Sequence, residues 1–354
     1  MANDRMTSME RVLTAIGHRE PDRIPQMLFL SLYGARECGL TPREYFSDPV
    51  LVAQTQLAMR EKYSNDVLYP FLYAAVETEA WGGDVLWSED GPPNAGEPVL
   101  RGAEDIRRLT VPDVARQERL QHVLTMIRLM KAAVGTSVPI IGVVVSPFSL
   151  PIMQMGFEPY LKLLLTEPDL FGRLMETNAA FCTRWANAQL DAGATAICWF
   201  DPLASPTIID RKTWLRTGYP VAKQTMPHIR GPVAMHLASG RTLPVLEDIV
   251  SLKAAVLGIS EADDLPAIKE RAAGRVCLLG NLNAIDMVNW TPEQAEEKVK
   301  ALIRGAGRGG GFILSDQHGE IPWQVPSETL LAVAEANRKW GTYPLDWLRG
   351  CDDA

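Results

Sequence analysis

The chain has 354 residues, of which 47% are hydrophobic and 22% are charged, and its formal net charge is −8. This length and apolar content are typical of a soluble protein with a large core, and they fit one α/β barrel with insertions. The acidic balance argues against nucleic acid as a partner, because phosphate binding needs clustered lysine and arginine side chains and the sequence contains no basic stripe.

The N-terminal segment carries charges throughout and lacks the apolar stretch of a signal peptide. No apolar run approaches the ~18 residues that a membrane span needs. The five cysteines, an odd number, form no Cys-x-x-Cys pair, so we interpret them as reduced thiols. Together these features predict a cytoplasmic protein without a membrane segment.

The beginning of the chain predicts a helical extension followed by two strands. Residues 1–23 form the extension, because an apolar stripe at helical spacing predicts a helix within residues 1–20 and Pro21 ends it. Apolar runs at 24–30 and 66–72 predict the first two strands, with helical segments between them.

Residues 74–113 are expected to form an insertion after the second strand. Its first part, AVETEAWGGDVLWSEDGPP, alternates and turns in the way that is typical of a β-hairpin. Its second part, EPVLRGAEDIRRLTVPD, predicts an irregular link to the next helix.

The remainder of the chain alternates regularly between helical segments and apolar strands. The six further strands are predicted at 139–147, 195–201, 232–237, 253–259, 275–281 and 311–316. The helices are predicted at 116–135, 158–192, 211–226, 242–252, 264–272, 291–305 and 326–340. Eight apolar strands joined by helical crossovers predict an α/β fold, a single (β/α)8 TIM-like barrel domain over 1–354. An open doubly wound sheet is the alternative.

Three ionisable side chains are predicted to be catalytic because they follow strand ends. The C-terminal ends of parallel barrel strands converge on one mouth, where the chemistry takes place. His236 closes the run PVAMH, His318 follows GFILSDQ, and Asp201 follows the fourth strand. In the structural alternative, the histidines are buried and hydrogen-bonded, and Asp201 caps the next helix.

Aromatic and polar residues near the same strand ends predict a cleft for an amphipathic organic ligand. The candidate substrate-binding residues are Tyr33, Tyr73, Phe148, Trp199, Glu77 and Asn281. The alternative is core packing for the aromatic residues, and a charged hairpin edge that favours solubility for Glu77.

Segments along nearly the whole chain resemble, in order, motifs of the uroporphyrinogen decarboxylase superfamily. The similar segments are MERVLTAIGHREPDRIP, DVLYPFLYAAVETEAWGGDV, VVVSPFSLP, FDPLASPTIIDRKTW, VCLLGNLNAIDMVNWTPEQAEEKV and GRGGGFILSDQHGEIPWQVPSETLLAVAEA. The second of these is most similar to the corrinoid-dependent methyltransferase branch, which includes methylcobalamin:coenzyme M methyltransferases and the methyltransferases of O-demethylases. The resemblance implies a distorted (β/α)8 barrel.

The decarboxylase branch carries an RQAGR-type motif after the first strand, and its arginines hold the carboxylates of the substrate. Here that place reads LSLYGARE, which retains one arginine, Arg36. A substrate with eight carboxylates needs several fixed guanidinium partners. The methyltransferase branch is therefore favoured, although Asp201 matches the decarboxylase aspartate and His318 lies in a similar HGxIP-like context.

The methyltransferase branch often holds zinc through an H-x-C pair and a later cysteine. Here His236 matches the first ligand, Ala238 replaces the cysteine of the pair, and His318 stands at or beside the last cysteine. Imidazole and carboxylate groups are competent zinc ligands. His236, His318 and Glu320 are therefore candidate metal ligands, and a metal-free site with histidine as general acid is the alternative.

The resemblance implies a methyltransferase that moves a methyl group from a small methylated substrate, best represented by a methoxylated aromatic, to cob(I)alamin. The cobalamin would be held by a partner corrinoid protein or supplied as a free cosubstrate. The alternative functions are a uroporphyrinogen decarboxylase-type decarboxylase and a non-catalytic barrel that binds a corrinoid or tetrapyrrole. A second copy of the chain, in a homodimer, is a further candidate partner.

Overall fold

The computed structural model describes residues 5–349, so the first four residues of the predicted extension, as well as Cys351, lie outside the described residues. The strands are β1 Gln26–Met27, β2 Val85–Leu86, β3 Asn94–Ala95, β4 Ile141–Val145, β5 Ala196–Phe200, β6 Val233–His236, β7 Val256–Gly258, β8 Cys277–Leu282 and β9 Phe312–Asp316. None of the helices in this range is long and apolar enough to cross a membrane.

Fifteen α-helices are defined between residues 5 and 349. They are α1 Ser8–Ile16, α2 Tyr33–Cys38, α3 Pro42–Ser47, α4 Pro49–Lys62, α5 Ala103–Arg108, α6 Glu118–Val134, α7 Pro151–Met155, α8 Phe157–Thr166, α9 Pro168–Ala192, α10 Arg211–Arg216, α11 Gly218–Thr225, α12 Leu246–Ser251, α13 Leu265–Ala272, α14 Pro292–Ala306 and α15 Ser327–Trp340. Short 3₁₀ helices cover Ala74–Trp81, Val114–Arg116, Pro202–Ala204, Met226–His228, Leu243–Val245, Asp286–Asn289 and Asp346–Leu348.

Seven of the strands form one curled parallel sheet in the order β1-β9-β8-β7-β6-β5-β4. Between the two ends of this sheet lies the segment after α4, where Leu68 forms a single parallel bridge with Ile140 and the N–H of Asp66 donates to the carbonyl of Gln26 at 2.7 Å. The result is the predicted TIM-like barrel, with helices packed around the sheet.

The predicted second strand, 66–72, is reduced to that one bridge. Side-chain hydrogen bonds replace the expected ladder, because Asn65 Oδ1 accepts the N–H of Leu28 at 3.0 Å and Asn65 Nδ2 donates to the carbonyl of Leu28 at 3.1 Å. Pro70 in addition has no N–H to contribute to a ladder.

The predicted hairpin insertion is correct only in its second half. β2 and β3 pair antiparallel, with Val85 opposite Ala95. The first half is a 3₁₀ helix, Ala74–Trp81, and the link that was expected to be irregular contains α5. The alternation of apolar residues thus did not distinguish a strand from a 3₁₀ helix.

The strands separate two apolar regions. Side chains of the barrel interior include Phe29, Tyr69, Val143, Cys198 and Cys277, which form one buried cluster. The alternate side chains of the strands pack outward against the helices in a second, larger cluster. This period of two decides which strand-end residues face the mouth.

A buried carboxylate fixes the end of the barrel opposite the mouth. Asp66 Oδ1 accepts from Arg11 Nη1 at 2.6 Å, and Asp66 Oδ2 accepts from Arg23 Nη1 at 2.7 Å. Asp66 Oδ2 also accepts the N–H of Gln26 at 2.9 Å. The N-terminal helix, β1 and the segment after α4 are therefore held by one carboxyl group.

We predict that Asp66→Asn lowers the free energy of unfolding by about 3–5 kcal/mol, because it removes the charge that two buried guanidinium groups share. The measurement is urea unfolding followed by circular dichroism. The matched control is Asp191→Asn, which breaks the exposed Arg230–Asp191 pair and should cost about 0–1 kcal/mol. Equal effects of the two substitutions would contradict this account.

Candidate functional site

A pocket of about 140 Å³ lies at the C-terminal ends of the barrel strands. We call it the mouth pocket. It is lined by Leu32, Tyr69, Phe71, Leu72, Tyr73, Ala74, Pro92, Pro93, Phe200, His318, Gly319 and Glu320. These residues come from the segments after β1, after the Leu68 bridge and after β9, from the loop between β2 and β3, and from the end of β5. The pocket is thus built mainly of aromatic and apolar side chains, with one imidazole and one carboxyl group.

His236 lies beneath this pocket. Its Nδ1 accepts the N–H of Ala238 at 3.1 Å, so the neutral imidazole carries its proton on Nε2. The ring stacks on Phe200 at 5.7 Å between centroids, and Phe29 meets it edge-on at 5.2 Å. Burial, and secondarily the charge of His318, lower the pKa of His236 to about 4. The side chain is therefore neutral near pH 7.

Gly319 closes the pocket above these rings. A Cβ atom at this position would stand 3.4 Å from Phe200 and 3.6 Å from His236, and the φ angle is +85°. Both the left-handed backbone and the close approach favour glycine. Next to it, half-buried His318 faces the pocket, and burial lowers its pKa while Glu261 and Asp286 oppose that shift.

Glu320 supplies the carboxyl group of the mouth pocket. Its Oε1 accepts the N–H of Leu32 at 2.8 Å. Burial, with a further contribution from the charge of Asp316, raises the pKa of Glu320 well above its usual range. The backbone N–H groups of Leu32 and Ser31 oppose this shift. A raised pKa favours the protonated form of the carboxyl group, which makes Glu320 the candidate proton donor inside an apolar pocket.

Asp316, at the end of β9, orders the residues around Glu320. One carboxylate oxygen accepts the N–H of Phe29 at 3.0 Å. The other accepts the N–H groups of His318 and Gly319 at 3.2 and 3.1 Å. Burial raises the pKa of Asp316 to about 6, while these backbone hydrogen bonds oppose the shift.

Asp201 does not line the mouth pocket. Ser149 Oγ donates to its carboxylate at 2.6 Å, Trp199 Nε1 lies 3.4 Å from the second oxygen, and its own N–H donates to the carbonyl of His236 at 2.8 Å. Burial raises the pKa of Asp201, while hydroxyl groups including that of Ser149 oppose the shift. The carboxyl group thus joins the loops after β4 and β5, while the backbone N–H of Asp201 holds the carbonyl of His236.

Of the predicted substrate-binding residues, only Tyr73 lines the mouth pocket. Tyr33 is buried, and its hydroxyl donates to the carbonyl of Val325 at 2.8 Å. Phe148 and Trp199 are buried in the outer core. Tyr33, Phe148 and Trp199 therefore pack in the core, which was the alternative interpretation of the aromatic residues.

Glu77, a predicted substrate-binding residue, is buried outside the lining of the mouth pocket, and its burial also rules out the alternative of a charged hairpin edge. Its Oε1 accepts the N–H of Val145 at 2.9 Å. Burial raises the pKa of Glu77 to about 8. Asn281 lies at the end of β8 and lines a different pocket from the one that holds His318 and Glu320.

The predicted metal ligands are not assembled in the structure. Across residues 5–349, no group of three or more histidine, cysteine, aspartate or glutamate side chains is placed to hold a metal ion. His236 Nε2 borders β7, where a Cβ atom on Gly258 would stand 3.1 Å from it, and Glu320 Oε1 is engaged by Leu32. His236, His318 and Glu320 therefore do not fit a zinc site.

The main residues that the sequence analysis missed are Phe200 and Gly319. Side chains alternate along β5, so Phe200 shares the inward direction of Cys198, whereas Trp199 points outward. The period of two could have identified Phe200. No comparable signal marked Gly319, since the need for glycine there depends on rings from other strands.

The comparison with known proteins identifies the family. A family model for uroporphyrinogen decarboxylase (URO-D) matches residues 7–340, so the chain belongs to this family, and the predicted superfamily is confirmed. The uroporphyrinogen decarboxylase of Neisseria gonorrhoeae is 27% identical over 289 residues, covering 76% of this chain and 77% of the relative. That of Methylococcus capsulatus is 27% identical over 300 residues, covering 82% and 84%.

A solved structure described as a methyltransferase from Methanosarcina mazei shares the fold. Its TM-score is 0.83 at 22% identity, and the match covers 95% of this chain and 99% of that chain. The family is thus enzymatic, with decarboxylases and a methyltransferase among the proteins that resemble this chain.

We predict that His236 remains neutral well below pH 6.5. The unfolded chain then takes up a proton on this side chain at a higher pH than the folded chain does, so the stability due to neutral His236 is complete above pH 6.5 and falls as the pH drops towards 4. Between about pH 7 and about pH 5 the wild type should lose about 2 kcal/mol more of its free energy of unfolding than His236→Gln.

The direct measurement is an NMR titration of the His236 ring in the wild-type protein, with urea unfolding at the two pH values beside it. Exposed His228 serves as the internal comparison. A His236 midpoint near the ordinary histidine pKa, with no excess loss of stability, would contradict this account.

Proposed function

We propose that the protein is a corrinoid-dependent methyltransferase, which moves a methyl group from a small methylated substrate to cob(I)alamin. The observation that carries the proposal is the lining of the mouth pocket: aromatic and apolar side chains surround an imidazole and a buried carboxyl group whose pKa is raised, and no lysine or arginine is among the lining residues. Such a pocket favours an uncharged aromatic substrate.

The position of Arg36 argues against a polycarboxylate substrate. Its Nη1 donates to the carbonyl of Trp323 at 2.7 Å and to that of Val325, and the guanidinium group lies 5.3 Å from the ring centroid of Tyr33. The one arginine that remains from the decarboxylase motif therefore holds the backbone at 323–325. Recognition of several carboxylates needs fixed cations at the pocket itself.

The volume of the mouth pocket suits a single ring. A cavity of about 150 Å³ is known to accept benzene, and the mouth pocket has about 140 Å³. Tyr69, Phe71 and Phe200 provide the aromatic surfaces against which such a ring would pack. A methoxylated aromatic is therefore the substrate class that we propose.

Breaking the bond between the methyl carbon and the ether oxygen requires a proton for the oxygen that leaves. Glu320 can supply it, because burial raises the pKa of its carboxyl group and its Oε1 is held in place by the N–H of Leu32. His318 lines the same pocket and can relay protons to and from solvent. Because the pKa of His236 is lowered to about 4, its ring is not protonated to the imidazolium form near pH 7 and cannot serve as the acid. We assign it the role of positioning Phe200 and Gly319.

Cob(I)alamin, supplied free or by a separate corrinoid protein, would be the nucleophile that accepts the methyl group. With that acceptor bound, the methyl carbon would exchange its bond to oxygen for a bond to the acceptor, and Glu320 would give its proton to the oxygen that leaves. Support for this acceptor comes from the resemblance of residues 66–85 to the corrinoid-dependent branch, and support for methyl transfer comes from the structural similarity to the methyltransferase from Methanosarcina mazei.

A decarboxylase of the uroporphyrinogen type is the second candidate function. The observation in its favour is that the curated relatives from Neisseria gonorrhoeae and Methylococcus capsulatus carry this name and align over more than three quarters of the chain. It requires turnover of uroporphyrinogen without a corrinoid.

We predict that the purified protein forms methylcobalamin from cob(I)alamin and at least one compound in a panel of methoxylated aromatics. Glu320→Gln should lower kcat by about 10²–10³-fold, because glutamine keeps the acceptor for Leu32 but has no acidic proton. The measurement is the absorbance change of the corrinoid, with exposed Glu335→Gln on α15 as the control.

Full activity of Glu320→Gln would remove Glu320 as the acid. Two results would overturn the proposed function. Turnover of uroporphyrinogen by a protein that transfers no methyl group would establish the decarboxylase function instead, and binding of a corrinoid without either reaction would indicate a non-catalytic barrel.

A further inference from the structure

A second pocket, of about 230 Å³, lies beside the mouth pocket, and we call it the side pocket. It is lined by Glu261, Asp263, Leu265, Asn281, Leu282, Asn283, Trp290, Lys298, Ala301 and Leu302. The two pockets adjoin through the loop after β9, because Gln317 Oε1 accepts the N–H of Glu261 at 2.6 Å and His318 follows directly. A ligand that covers the barrel mouth can thus reach into both.

Asn281 gives the side pocket a hydrogen-bond acceptor without a partner in the protein. The residue is only 5% exposed. Its Nδ2 donates to the carbonyl of Ser260 at 3.0 Å, while its Oδ1 is buried and has no hydrogen-bond partner among the described residues. Buried acceptors in proteins normally have a hydrogen-bond partner. A ligand in the side pocket that carries a donor would supply the partner that Asn281 Oδ1 lacks.

Both acidic residues of the side pocket accept hydrogen bonds from protein groups. Asp263 accepts from Arg241, from Leu243 and from both the N–H and the hydroxyl of Thr242. Glu261 accepts from Asn283 Nδ2. The cationic group that faces the pocket is Lys298, whose Nζ lies 5.9 Å from the ring centroid of Trp290.

A neutral group with both a donor and an acceptor fits this arrangement best. An ammonium group would meet the charge of Lys298, and a carboxylate would meet the lone pairs of Asn281 Oδ1. A primary carboxamide has an N–H for Asn281 Oδ1 and a carbonyl oxygen for Lys298 Nζ. The apolar walls, among them Trp290 and Leu302, suit the short alkyl stem that carries such an amide.

We propose that the side pocket binds a primary carboxamide arm of the corrinoid. Cobalamin carries several such amides on short alkyl chains around the edge of its ring, so a corrinoid over the barrel mouth presents one to the side pocket. This inference rests on the proposed function, and it assigns Asn281 and Lys298 to recognition of the methyl acceptor instead of the methyl donor.

The test measures binding of cob(II)alamin by equilibrium dialysis, which needs no turnover. Lys298→Met should raise the Kd about tenfold, as expected for the loss of one charge-assisted hydrogen bond. The matched control is Lys223→Met, since Lys223 Nζ also lies 5.9 Å from an aromatic ring, that of Tyr219, away from both pockets. Lys298 is exposed, so its substitution leaves the fold intact.

A second arm varies the ligand. Cobyrinic acid, in which the amides are carboxylates, should bind the wild type at least tenfold more weakly than cobinamide, which keeps the amides and likewise lacks the nucleotide tail. Asn281→Ala should weaken cobalamin binding, and its KM for the methoxylated donor should stay at the wild-type value. Weaker cobalamin binding with an unchanged KM for the donor would show that Asn281→Ala affects recognition of the acceptor and does not cause a general loss of structure.

The outcomes distinguish the inference from the proposed function. Cobalamin affinity that is unchanged in Lys298→Met and Asn281→Ala overturns the inference, while methyl transfer by the same proteins would leave the proposed function standing. If the wild type neither binds cobalamin nor transfers a methyl group to it, both are overturned.

Discussion

The buried carboxylate of Asp316 connects the closure of the barrel with the geometry of the mouth. It accepts the N–H of Phe29 after β1 and the N–H groups of His318 and Gly319 after β9. Since β1 and β9 are neighbours in the sheet, the carboxylate holds the first and last strands in register at the end where the pocket lies. Glu320 then reaches the N–H of Leu32 across the same junction. The position of the proposed acid is therefore a consequence of how the barrel closes.

Burial is the common cause of the electrostatic character of this site. It lowers the pKa of His236 and raises the pKa of Glu320, and in both cases burial stabilises the uncharged form of the side chain relative to the charged form. Phe29, Phe200 and Gly319 exclude water from the imidazole, and no cation lines the pocket. A proton donor in an uncharged aromatic pocket suits an ether oxygen, whereas a substrate with many carboxylates would find no fixed counter-charge there.

The sequence predicted the parallel strands from β4 to β9 closely, because each is an apolar run between helices with clear boundaries. At α14, for example, Thr291 and Gln294 form a reciprocal capping box. The predicted second strand was wrong, since it forms no ladder of backbone hydrogen bonds. The side chain of Asn65 instead bonds both the N–H and the carbonyl of Leu28. For the site, His318, Glu320 and Tyr73 were found by their places after strand ends. Trp199 points outward by the period of two along β5, and Tyr33 and Phe148 are held in the core by contacts between distant segments that no local pattern reveals.

The protonation state of Glu320 near neutral pH is the most direct test of this account, and difference infrared spectroscopy of the wild type against Glu320→Gln measures it without a substrate. The account predicts that the wild type shows the C=O stretch of a protonated carboxylic acid at neutral pH, that the variant lacks it, and that the band persists well above the ordinary glutamate pKa. A carboxylate signal for Glu320 at neutral pH, with titration in the ordinary glutamate range, would contradict the account and remove the proposed proton donor.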